Sequence, residues 1–233
     1  LQPATFLRRY KRFLADVRLD NDQELTVHCP NPGSMRSLLT TEMPCWLRDD
    51  SNPKRKLSHT LVILATPDGG LAVVDTHLPN RLVAHAITEN AISELTGYAT
   101  CRPEQRYGQE SSRIDLLLED PHRPPCYVEI KNVTLLPETG PPGRATFPDA
   151  VSSRGARHLR ELAHMAGQGC RAVQFYLLNR TDCDSCGIAA DIDPGYATAL
   201  QKAMTAGVEV LAYRSHVTPD GVALGERVTF DPS

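Results

Sequence analysis

Two carboxylates and a lysine on neighbouring predicted strands are the residues of this chain best placed to do chemistry. Asp115 sits in Arg113-Ile-Asp-Leu-Leu-Leu-Glu119, and Glu129 and Lys131 sit in Tyr127-Val-Glu-Ile-Lys-Asn-Val133. Strand side chains alternate between faces, so Glu129 and Lys131 project together while Val128 and Ile130 enter an apolar layer. Ionisable groups on an otherwise buried strand are costly unless paired or bound to a metal. If the two strands are neighbours, Asp115 lies beside Glu129, and a divalent cation, Mg2+ or Mn2+, relieves their repulsion. Magnesium takes one or two protein carboxylates with several waters. Such a cation activates water and stabilises charge on a phosphate. Lys131 then orients or deprotonates the water, or stabilises the developing charge. Glu94, at the edge of a predicted helical stripe, is a candidate fourth member, against the plainer reading of a surface acid. The cluster as a whole has a plainer reading too, as a structural ion-pair network.

The elements that must position these groups fall into two parts. Residues 1–80 read as short strands broken by turns: Phe6 to Leu19, Glu24 to Cys29, Met43 to Arg48, Leu57 to Ala65 and Leu71 to Asp75. Pro30-Asn31-Pro32-Gly33 and Pro67-Asp68-Gly69-Gly70 mark turns between them. This pattern predicts a small β-barrel, with an OB-like barrel as the natural candidate. Residues 81–233 predict a mixed α/β domain. A helix from Leu82 to Thr96 is closed by Gly97. Strands follow near Cys101 to Tyr107, Arg113 to Glu119 and Cys126 to Val133, and then a loop from Pro137 to Asp149. Beyond it lie a helix from Ser152 to Ala166, a strand from Arg171 to Leu178, a helix from Pro194 to Ala206 and a strand from Val208 to Tyr213.

Basic residues suggest a polyanionic partner. Arg8, Arg9, Lys11 and Arg12 interleave with Phe6, Tyr10 and Phe13. Aromatics that stack on bases beside phosphate-binding cations are how OB surfaces hold single strands. The alternative is a barrel strand with its aromatic side in the core. Lys54, Arg55 and Lys56 fall in a predicted loop able to bend over a DNA groove, or simply solvated. Arg154 and His158 are one turn apart on the second helix. They reach a scissile phosphate if that helix starts beside Glu129, and are a surface pair otherwise.

Composition restrains this picture. The net charge is −3, unlike the strongly basic balance of many nucleic-acid binders, so local patches must carry the electrostatics. No apolar run reaches the ~20 residues of a membrane span, and the first residues lack a signal peptide's apolar stretch. A soluble cytoplasmic protein is the expectation. Seven cysteines, an odd number, argue against a closed disulfide framework. Cys183 and Cys186 form a C-x-x-C pair without a second pair, and read as reduced thiols rather than zinc ligands.

The Asp strand followed by a Glu-x-Lys strand resembles the PD-(D/E)xK nuclease superfamily. Over nearly its full length the chain also resembles the sugar fermentation stimulation protein A (SfsA) family. Arg9-Tyr-Lys-Arg-Phe-Leu-Ala-Asp16, His28-Cys-Pro-Asn31, Asn80-Arg-Leu82, Ser112-Arg-Ile-Asp115, Val128-Glu-Ile-Lys131, Phe147-Pro-Asp-Ala-Val151 and His158-Leu-Arg-Glu-Leu162 carry that resemblance. It implies an N-terminal OB-like domain and a C-terminal nuclease-like domain. It also implies sequence-nonspecific DNA binding and a regulatory role in sugar (maltose) metabolism. One departure is Pro32, where the family's turn usually reads Pro-Asn-Thr-Gly; proline removes a backbone donor and a hydroxyl. Three functional readings stay open: a metal-dependent DNA phosphodiesterase, a non-catalytic DNA-binding regulator, and a barrel that binds a small ligand or protein beside a structural acidic cluster. DNA is the expected partner, no membrane contact is expected, and a homodimer is compatible with the sequence.

Overall fold

A hairpin opens the chain where one long strand is predicted. The computed structural model describes residues 1–52 and 54–232. Strand β1 (Gln2–Tyr10) turns back into β2 (Leu14–Arg18) through Lys11 and Arg12, both at positive φ. No glycine, proline or asparagine announces that turn, so the apolar alternation reads straight through it. Strands β3 (Glu24–His28), β4 (Met43–Asp49), β5 (His59–Ala65) and β6 (Leu71–Val73) complete the sheet in the order β3-β2-β1-β4-β5-β6. The pairing of His28 with Thr60 joins β3 to β5 and closes a five-stranded barrel. Its core includes Phe6, Val17, Val27, Leu47, Leu61 and Leu64.

The second half is a three-layer sandwich. It runs α1 (Leu78–Thr88), a 3-10 turn (Ser93–Leu95), β7 (Thr100–Tyr107), β8 (Ser112–Asp120), β9 (Arg123–Val133) and β10 (Arg144–Phe147). It continues with α2 (Ser153–Gly167), β11 (Arg171–Leu178), β12 (Ser185–Ile188), α3 (Pro194–Thr205), β13 (Glu209–Thr218), β14 (Gly221–Arg227) and β15 (Thr229–Asp231). The main sheet is ordered β14-β13-β11-β9-β8-β7, with β9, β11 and β13 parallel. Helix α1 and the 3-10 turn cover one face over Val128, Ile130, Phe175 and Leu177. Helices α2 and α3 cover the other over Val133, Tyr176 and Leu178. Ser152 caps α2 by accepting from the Gly155 amide, and Asp193 caps α3 by accepting from the Tyr196 amide. The Pro137 to Asp149 stretch contains β10, which pairs with β12 beside β15.

Buried polar contacts join the halves. Arg180, 1 % exposed, forms a bidentate ion pair with Asp182 at 2.7 Å, and donates to the Thr134 carbonyl at 2.8 Å. It also reaches Ser37 of the barrel, while Thr66 of the barrel donates to Asp182. At a second point Asp149 accepts from the Met35 amide at 3.1 Å, and Ser34 Oγ donates to the Asp149 carbonyl at 2.8 Å. Gly33 lies so close that a Cβ there would collide with the Asp149 carboxylate. Gly33→Ala is therefore expected to displace Asp149 and cost about 1–3 kcal/mol. A change in the thermal midpoint of under 2 °C would show the contact to be dispensable.

Candidate functional site

Strand β8 breaks its alternation at Asp115. Ile114 packs in the α2–α3 core, yet Leu116, two residues on, packs in the α1 core. An uninterrupted strand would put both on one face. The β8–β9 ladder ends at Leu116 opposite Val128. Beyond it the Asp115 carboxylate takes over, accepting the Ile130 amide at 2.7 Å, while Asn80 of α1 donates to its other oxygen at 2.8 Å.

Glu129 is 2 % exposed on the central strand. Its Oε1 accepts from Lys131 Nζ at 2.6 Å and from His158 Nδ1. Arg154 Nε donates to His158 Nε2 at 3.3 Å. A guanidinium only donates, so Nε2 accepts and Nδ1 carries the proton directed at Glu129. The second carboxylate oxygen, Oε2, is buried without a hydrogen-bond partner. The side-chain oxygens of Tyr107 and Gln174 are likewise buried and unpartnered, and Gln174 lies beside Glu129 on β11. Buried oxygens of this kind are ordinarily satisfied by a protein group, an ordered water or an ion.

The electrostatics follow from burial. Burial raises the Asp115 pKa, and the neighbouring Glu129 charge adds to it, bringing it to about 6. Burial also works against the Glu129 charge, but the Lys131 ammonium and the His158 hydrogen bond outweigh it and hold that carboxyl below its usual range. Two carboxylates thus share one site with opposite proton affinities. Their partners Asn80 and Lys131 line a cleft of about 390 Å³ between the halves, together with Asn132, the Asn31–Gly33 turn and residues 146–152.

Other sequence candidates are placed differently. Glu94 does not join the cluster. Its carboxylate accepts from Tyr213 at 2.6 Å and Arg227 at 2.9 Å, and Tyr213 belongs to the α1-side core whereas Glu129 projects toward α2. The reason is that α1 ends at Thr88, and Asn90 at positive φ breaks the predicted helix before Glu94. His158 is buried against Glu129 rather than presented to solvent, whereas Arg154 is exposed. Arg9 is committed to the barrel: its guanidinium donates to the carbonyls of Asn31 at 2.6 Å and Gly33 at 3.0 Å, shaping one wall of the cleft. Arg8 pairs with Asp16, Arg55 pairs with Asp50, and Lys11, Arg12, Lys54 and Lys56 are exposed. Of the aromatics, Phe6 is core and Phe13 is 42 % exposed. Cys183 and Cys186 lie in the apolar core, and burial pushes their thiols up to about 11 and about 12.

Residues 7–74 match the SfsA N-terminal OB domain, and residues 77–221 match the sugar fermentation stimulation protein RE domain. The chain belongs to the sugar fermentation stimulation protein (SfsA) family. Similar SfsA relatives are named sugar fermentation stimulation protein homolog. One, from Shewanella sp. (strain MR-4), is 50% identical over 97% of this chain and 95% of its own length. Another, from Jannaschia sp. (strain CCS1), is 48% identical over 100% of this chain and 95% of its own. A structure of Pyrococcus furiosus SfsA in complex with Ca2+ aligns at a TM-score of 0.86 and 26% identity, covering 99% of this chain and 95% of that one. No helix among the described residues is long and apolar enough to cross a membrane.

Asn80, Gln174 and Tyr107 were not among the sequence candidates, yet in this SfsA fold they neighbour the carboxylates. Asn80 alone had a signal, since it belongs to Asn80-Arg-Leu82. Gln174 and Tyr107 lie in strands that read as ordinary core.

Proposed function

We propose that this protein binds DNA and holds a divalent cation, magnesium or manganese, at Asp115 and Glu129 for phosphodiester hydrolysis. The observation that carries this reading is the unpartnered, buried Oε2 of Glu129 beside an Asp115 of raised pKa. Two adjoining carboxylates with an oxygen to spare suit a hard cation that keeps most of its water. The Pyrococcus furiosus SfsA structure is a complex with Ca2+, a hard cation of the same oxygen-preferring class, which supports a divalent-cation reading. When bound, the cation supplies a more acidic water and neutralises charge on the phosphate. His158 holds the Glu129 carboxylate in one orientation, and Lys131 places a positive charge between that carboxylate and the cleft. Asn80 and the Ile130 amide hold Asp115 in place.

The test is incubation of purified protein with single- and double-stranded DNA and either metal. Wild type is expected to cleave, and Glu129→Gln to lose at least ~100-fold. Equal cleavage by both proteins, or none by either, would sink the reading. A second reading is a non-catalytic DNA-binding regulator of sugar (maltose) metabolism on the same scaffold; the relatives' name, sugar fermentation stimulation protein, supports its sugar side alone. It expects Lys131→Ala to leave both DNA affinity and the cellular phenotype intact; loss of the phenotype with unchanged binding would exclude it.

A further inference from the structure

We infer that the β7–β8 hairpin carries a phosphodiester-binding subsite formed by Arg106 and Arg113. This rests on the DNA reading above and adds to it a place where the strand is held. The two arginines are directly opposite in the β7–β8 register, and both are exposed. Like charges facing across a strand pair are unfavourable unless something neutralises them. Among the described residues only Arg12, Arg36, Arg106, Arg113 and Arg157 have guanidiniums without a hydrogen bond or ion pair; the chain's other arginines are engaged.

The acids around the hairpin leave this pair uncompensated. Glu110 pairs with Arg160, and Glu161 of α2 accepts the Gln109 and Glu110 amides. Glu104 forms no ion pair with either arginine. Those contacts from Glu161 also pin the hairpin tip to α2, and Gly108 at φ +71 leaves room for that carboxylate. The arginines therefore stand on a fixed support. Together with Tyr107, Gly108 and Ser111 they line a concavity of about 500 Å³. Arg113 is two residues from Asp115, about 6.6 Å of strand rise. A nucleic-acid strand carries one phosphate per ~3.4 Å of helix axis, so a strand that crosses this end of β8 presents more than one phosphate to the pair. Guanidinium forks match phosphate oxygens, and here the forks have no competing carboxylate.

The experiment measures DNA affinity against salt concentration in EDTA, so that turnover plays no part. Arg106→Gln with Arg113→Gln is expected to lower the slope of log affinity against log salt by about 1.5, or on the order of 30-fold in affinity at 0.1 M salt. Arg106→Lys with Arg113→Lys is expected to retain most of the slope, which separates lost charge from misfolding. Wild-type binding with an unchanged slope in the glutamine variant would overturn the subsite and leave the DNA reading standing. No wild-type binding at low salt would overturn both. Displacement of the oligonucleotide by millimolar inorganic phosphate, in wild type but not in the glutamine variant, would mean a free-phosphate site and also overturn the assignment to a strand.

Discussion

Arg180→Ala is expected to destabilise the protein by about 3–5 kcal/mol, a loss typical of removing one partner from a buried ion pair. Asp182 would keep its charge at 9 % exposure with only Thr66 to support it, and the Thr134 carbonyl and Ser37 would lose a donor. For a chain of this length the thermal midpoint should fall by on the order of 10 °C. Because the pair bridges barrel and sandwich, the loss should appear first as loosening between the halves, seen as faster amide exchange at Val73 and Thr181, whose backbones pair across that junction. Replacing both residues together, Arg180→Met with Asp182→Leu, should cost less than Arg180→Ala alone, since no charge is then stranded. Urea unfolding checks both, and a cost under 1 kcal/mol for Arg180→Ala would show that water reaches the pair.

Asp115→Asn is expected to act in the opposite direction. The folded protein holds the Asp115 proton up to about pH 6, against an ordinary value of 3.8. Between those values the folded state binds more protons than the unfolded chain, so stability falls as pH rises through the window. Below pH 3.8 there is no penalty, and above pH 6 it is complete at ~3 kcal/mol. Asparagine removes it: the variant should be more stable than wild type above pH 6 and no different below pH 4. The amide oxygen can still accept the Ile130 amide, and the Asn80 amide can rotate to accept in turn. A divalent cation should relieve the same penalty in wild type, by ~2.7 kcal/mol at 100 times its dissociation constant, and not in the variant. Thermal shifts with and without Mn2+ at pH 4 and pH 7.5 decide this. An equal Mn2+ shift in both proteins would place the cation elsewhere.

The central part of this site was legible because a strand's two-residue period ties Glu129 to Lys131, and β9 keeps that period. What could not be read was where backbone geometry departs from its pattern. Ile92 and Leu95 continue the apolar spacing of α1 and are buried in the same core, although the helix has already ended. Periodicity therefore carried Glu94 onto a helix it does not occupy; Asn90, a residue suited to a left-handed helix stop, was the available signal. The turn at Lys11 and Arg12 had no comparable marker. Net roles were harder still: Arg9 and Arg106 look alike in a list of charges, and only the positions of carbonyls and carboxylates tell them apart. His158 reads as a surface partner of Arg154 until β9 is placed behind it.

The contact between Asp149 and the Ser34–Met35 turn joins positions 115 and 114 residues apart. Closing so long a segment is entropically slow compared with forming the β1–β2 hairpin. During synthesis the barrel emerges first, and its Asn31–Gly33 turn has no facing wall until the Phe147–Ser152 segment has been made. The cleft is therefore a late product of chain growth. A ribosome-bound nascent chain that ends before residue 146 would carry a formed barrel and no cleft.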